Sequence, residues 1–125
     1  MLAAYGDKLG LDRETALKLG NAFGGGMGRT GETCGAVTGA VMVISLIHQA
    51  EDHSGCSGRE QAYTLTSEFI REFKRRNGSV LCRELLGADI GTGAEHDSLL
   101  FKRCPRFVQD AAEILEEMLK KKEEE

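Results

Sequence analysis

Three of the four cysteines, Cys34, Cys82 and Cys104, stand where the sequence signals the start of a helix. Their surroundings are Gly31-Glu32-Thr33-Cys34-Gly35-Ala36, Gly78-Ser79-Val80-Leu81-Cys82-Arg83-Glu84 and Lys102-Arg103-Cys104-Pro105-Arg106, and each joins a turn signal to an apolar run of helical period. The first turn of a helix carries unpaired N–H groups and the positive end of the helix dipole, both of which favour a nearby anion. A thiol placed there is readily turned into a thiolate, its pKa falling from about 8.5 to roughly 3.5–7.5. Redox or metal chemistry is therefore the leading expectation, with Cys34 favoured as the nucleophile. No two of these cysteines have Cys-x-x-Cys spacing, so a site must be assembled by folding. The competing expectation is that each is a small buried hydrophobe. Cys56, between Gly55 and Ser57 in a polar stretch, reads as incidental, and His48, His53 and His96 read as surface histidines.

A glycine-rich run, Gly24-Gly25-Gly26-Met27-Gly28-Arg29-Thr30-Gly31, leads into Cys34. Within it Gly26-x-Gly28-x-x-Gly31 matches a dinucleotide-binding fingerprint, but the preceding segment reads as helix and the required βαβ context is missing. A better use of the glycines is to bring bare backbone N–H groups beside the thiol. Gly28, Arg29 and Gly31 are expected to line a concave, anion-friendly site that stabilises a thiolate at Cys34. Arg83, Arg103 and Arg106 accompany the other two cysteines, either to neutralise an electron-rich site or as ordinary solvated charge.

The elements that must position these residues read as helices. There is one proline and no sustained apolar/polar alternation, so the fold class is all-α. Met1 to Leu9 forms a first helix ending at Gly10, and Asp12 caps a second through Phe23, with Ala16, Leu19, Gly20 and Phe23 on one face. A third, from about Cys34 to Ala50, is apolar nearly all round and belongs at the centre, with Gly35 and Gly39 allowing close approach of a neighbour. Ser57 and Glu60 form a capping box for a fourth helix to about Arg76, whose inner stripe is Ala62, Leu65, Phe69, Ile70 and Phe73. Ser79 caps a short fifth helix ended by Gly87. A surface loop is expected from Gly87 to Leu99, and Pro105 then opens a last helix to about Lys120, with Phe107, Val108, Ala111, Ile114, Leu115 and Met118 facing inward. The expected architecture is a compact single domain over residues 1–125, a bundle of about five to six helices around a central apolar one.

Composition narrows the function. A chain of 125 residues with 41% hydrophobic and 29% charged residues can bury a core and is not expected to be disordered. A net charge of −4 without a basic stripe argues against nucleic-acid binding. The most apolar stretch falls short of the roughly 20 residues a bilayer span needs, so no membrane insertion is expected. No export signal is legible at the N-terminus, so a cytoplasmic location is expected, where cysteines more often serve redox or metal chemistry than staple a fold.

The block from Gly24 to Ala40, with Cys34-Gly35-Ala36-Val37-Thr38-Gly39 inside it, resembles the C_GCAxxG_C_C family, named for its cysteines and such a motif. Cys82 in Cys82-Arg83-Glu84-Leu85-Leu86-Gly87 and Cys104 in Arg103-Cys104-Pro105-Arg106-Phe107-Val108 resemble its later cysteines. Members usually carry a further cysteine upstream, whereas none precedes Cys34 here. The resemblance implies a redox-active protein in which the three helix-start cysteines form a thiol/disulfide site, a thiol-dependent oxidoreductase being one form it could take. An alternative is that the same three cysteines bind zinc or an iron–sulfur cluster. Covalent haem is not expected, because no Cys-x-x-Cys-His occurs. A third reading is a helical interaction module without chemistry. A redox partner protein is the expected partner, and a homodimer is left open.

Overall fold

The structure, a computed structural model, describes residues 1–48, 57–87 and 93–124. Among the described residues it is all helical: α1 (Leu2–Gly6), α2 (Arg13–Gly20), α3 (Gly35–Ile47), α4 (Ser57–Asn77), α5 (Cys82–Leu86) and α6 (Gly93–Glu124). Local chemistry sets several boundaries. A 3-10 turn, Asp7–Leu9, follows α1 and ends at Gly10 with φ 92°, and the Asp12 carboxylate accepts from the Thr15 N–H at 3.0 Å to cap α2. Gly87, at φ 73°, ends α5.

Helix α3 is the centre, touching α1, α4 and α6. Its Ala36, Val37, Ala40, Val43 and Ile44 are buried against Phe69 and Phe73 of α4 and Phe107, Ala111, Ile114 and Leu115 of α6. Phe73 sits between two rings, 6.2 Å from Phe69 and 6.5 Å from Phe107. Gly39 admits the start of α1, since a Cβ there would lie 2.7 Å from Met1 Cβ. Across the outer ends of α4 and α6, Arg76 pairs with Glu72, Glu113 and Glu117.

Three boundaries and two faces differ from the sequence expectation. Helix α6 begins at Gly93, not at Pro105, which lies inside it. Proline costs this helix one N–H donor, and the turns upstream continue regardless. Helix α2 stops at Gly20, short of Phe23. Ser79 does not cap α5; its Oγ accepts from the Leu81 N–H at 3.0 Å, and Leu81 is the cap residue. Leu19 and Val108, expected inside, are exposed. Cys56 and His53, and the side chain of His96, lie outside the described residues.

Candidate functional site

Two short extended segments bring Cys34 and Cys82 together. Residues 31–34 and 80–83 pair antiparallel through the Thr33–Leu81 bridge. Cys34 N–H donates to Val80 O at 2.8 Å, Cys82 N–H to Glu32 O at 2.7 Å and Arg83 N–H to Gly31 O at 3.1 Å. Cys34 and Cys82, each one position past the bridge, flank it as diagonal neighbours. Arg83 Nη1 reaches Glu32 Oε1 at 3.0 Å and clamps the two segments from the solvent side. Each segment then turns directly into a helix, Cys34 as the cap residue of α3 and Cys82 as the first residue of α5.

Cys104 comes from α6. The residue before it, Arg103, donates from Nη1 to Leu86 O at 2.8 Å, satisfying a carbonyl at the end of α5. A charged hydrogen bond thereby joins the helices carrying Cys82 and Cys104. All three cysteines are free thiols; Cys34 and Cys82 are buried, at 8% and 5% exposure, and Cys104 is half-buried.

The glycine-rich run folds into a left-handed turn over Cys82. Gly25, Gly26, Met27, Gly28 and Arg29 have φ values of 65°, 67°, 69°, 63° and 64°. Gly26 is required by space as well as by conformation: a Cβ there would lie 2.6 Å from the Glu32 N and O atoms and 2.7 Å from Cys82 Cβ. The amides do not form the expected open cradle. Every N–H from Met27 to Glu32 donates within the turn and its flanks: Met27 to Phe23 O, Gly28 and Arg29 to Gly24 O, Thr30 to Met27 O, Gly31 to Gly25 O and Glu32 to Gly26 O. The Thr30 hydroxyl adds a bond to Gly26 O at 2.6 Å. The N–H groups of Gly28, Arg29 and Gly31 are therefore already engaged, and within the run it is Gly26 that is set against Cys82. The helix before this run, α2, also leaves the dinucleotide fingerprint without its strand.

Burial, not the helix start, decides the state of the thiols. At Cys34 loss of water pushes the pKa up, and the amides of Ala36 and Val37 lower it by less. Those amides approach sulfur without closing a capping hydrogen bond. Cys82 is pushed to about 11, first by burial and then by the charges that Cys34 and Cys104 would carry. Cys104 is raised by burial and then by Cys34, and as an interior residue of α6 it has no helix-start amides. The expected low-pKa thiolate at Cys34 is thus replaced by three protonated thiols that discourage one another's ionisation. Among the described residues no three His, Cys, Asp or Glu side chains are gathered as a metal ion requires, and none of the three cysteines lines the groove of about 620 Å³ between α4 and α6.

A sequence model of one family, described as "Putative redox-active protein (C_GCAxxG_C_C)", matches residues 1–118. The chain belongs to the C_GCAxxG_C_C family. There is no match among curated proteins or among solved structures. In this C_GCAxxG_C_C protein, Cys34 and Cys82 lie in the core cluster and Cys104 packs against it. Sequence reasoning missed the positioning work around them: Gly26 under Cys82, the Glu32–Arg83 clamp, and Arg103 on Leu86. The glycine run was the legible signal for the first; the other two depend on contacts 51 and 17 residues apart.

Proposed function

We propose that Cys34, Cys82 and Cys104 form a thiol–disulfide redox site, in which two thiols are oxidised to a disulfide and returned to thiols by a redox partner protein. The observation that carries this reading is the placing of three free thiols at one part of the core: Cys34 and Cys82 buried in it on hydrogen-bonded segments, and Cys104 of α6 packed against it. Membership of a family described by redox activity supports it. A cytoplasmic setting suits the cycle, because thiols are kept reduced there. Oxidation also relieves the site of groups whose ionised forms repel one another.

The test is a thiol count on the reduced chain before and after mild oxidation with diamide, followed by peptide mass mapping. Loss of two thiols per chain into a disulfide among these three positions, reversed by dithiothreitol, is the expected result. Retention of all the thiols, or bridges only to Cys56, would overturn it. The second reading, zinc or an iron–sulfur cluster on the same sulfurs, has against it that among the described residues no three His, Cys, Asp or Glu side chains are gathered as a metal ion requires. Anaerobic purification with elemental analysis and a visible spectrum separates the two, stoichiometric metal favouring the second.

A further inference from the structure

We propose that Cys104 is the entry thiol of this site, the first to attack an external disulfide, and that Cys82 passes the oxidation inward to a buried Cys34–Cys82 disulfide. This rests on the redox reading and adds an order to it. Attack on a disulfide needs the sulfur of the oxidant to reach the thiol along the S–S axis, so access decides which thiol reacts first. Cys34 and Cys82 are closed off at 8% and 5% exposure, with Gly26 of the left-handed turn set against Cys82. Cys104 is half-buried on α6, with exposed Arg103, Pro105 and Arg106 on either side and exposed Val108 one turn on. Cys82 begins the helix that Arg103, next to Cys104, ties to α6 through Leu86 O at 2.8 Å, which makes it the buried thiol on the element joined to Cys104.

The end state follows from the backbone. Cys34 and Cys82 lie as diagonal neighbours on segments already joined by three hydrogen bonds and the Glu32–Arg83 clamp. Diagonal neighbours lie about 7–8 Å apart and a disulfide needs Cα atoms within about 6.8 Å, so the bond asks for a closure of about 1 Å between segments that are otherwise already held together. Among the described residues Cys104 has no such backbone pairing with either segment; it packs against the edge of the core, and Arg103 beside it bonds to the far end of α5.

The steps balance. Cys104, as thiolate, attacks one sulfur of the external disulfide; that S–S bond breaks, and the departing half leaves as a thiolate that takes up a proton. Cys82 loses its proton and attacks Cys104 Sγ, forming Cys82–Cys104 and releasing the second half as a thiol. Cys34 loses its proton and attacks Cys82 Sγ, forming Cys34–Cys82 and returning Cys104 to a thiol. The external disulfide gains two electrons and two protons, supplied by Cys34 and Cys82.

The experiment uses the full chain carrying Cys56→Ser, with limiting glutathione disulfide, acid quench and peptide mapping. The parent should end with a Cys34–Cys82 bond and a free Cys104. Adding Cys82→Ser, or Cys82→Ala should the first fail to fold, should trap glutathione on Cys104. Adding Cys34→Ser should halt at Cys82–Cys104, and Cys104→Ser should slow oxidation by at least about tenfold, since only closed thiols remain. A first adduct on Cys34 or Cys82, or a Cys104→Ser chain oxidised at the parental rate, overturns the order while leaving the redox reading intact. Absence of any adduct or disulfide at all three positions overturns the redox reading itself.

Discussion

At Cys34 two effects that usually appear together are set against each other. Helix-start amides stabilise a thiolate, but those of Ala36 and Val37 act on a sulfur already taken out of water, and desolvation is the larger influence. The same balance holds more sharply at Cys82, which has only burial and two potential like charges around it. A thiol whose pKa rises on folding binds its proton more tightly in the native chain than in the unfolded one. Its contribution to stability is complete below the unfolded value near 9.0 and declines as pH rises toward the native value of about 11. Thermal melting of the reduced chain under argon should therefore fall through that window. Tyr5 moves in the same direction, to about 12 beside Glu116, so the informative quantity is the difference from Cys82→Ala. That variant should show a shallower decline between pH 9 and 11, and a parallel curve would refute the assignment. Native alkylation at pH 7.5 should likewise be slow at Cys34 and Cys82 and speed up as pH is raised.

The turn over Cys82 is an element whose sequence signal was composition and whose role is spatial. Gly26 and Gly28 share a left-handed conformation, at φ 67° and 63°, yet only Gly26 meets neighbours: nothing lies within 4 Å of a Cβ built at Gly28. The pair therefore separates the conformational cost from the packing cost. Gly28→Ala should lose about 1–2 kcal/mol, the cost of a side chain in the left-handed region. Gly26→Ala should lose about 2–5 kcal/mol, because the same cost is joined by about 1–3 kcal/mol of overpacking against the Glu32 backbone and Cys82. Urea unfolding of both variants measures the difference. Equal losses would mean that the turn does not bear on Cys82. In the Gly26→Ala chain, displacement of Cys82 should also raise its alkylation rate relative to Cys104, an effect a purely conformational cost would not produce.

Across the whole molecule, what the sequence made legible was local. The Asp12 cap, the ends at Gly10 and Gly87, and the apolar stripe through Phe69 and Phe73 each follow from neighbours within a turn or two. The pairing of residues 31–34 with 80–83 was not legible, since it needs two short stretches about fifty residues apart to meet. Cys104 was misplaced for a related reason: Pro105 suits a helix start by local preference, and the helix that runs through it is held by α3 and α4. Burial of the thiols is likewise a property of the packed whole and carries no local mark. That packed whole can be tested at the joint between α4 and α6, where two kinds of interaction lie side by side. Phe73, fully buried between the rings of Phe69 and Phe107, should lose about 3–5 kcal/mol on truncation to alanine. Arg76, with three glutamates around it, looks the more heavily engaged, but Glu113 and Glu117 are solvent-exposed and such pairs are worth little in water. Urea unfolding should therefore show a much smaller loss for Arg76→Ala than for Phe73→Ala, shrinking further in 1 M salt. A salt-insensitive loss at Arg76 equal to that at Phe73 would place the joint's stability in its charges instead of its core.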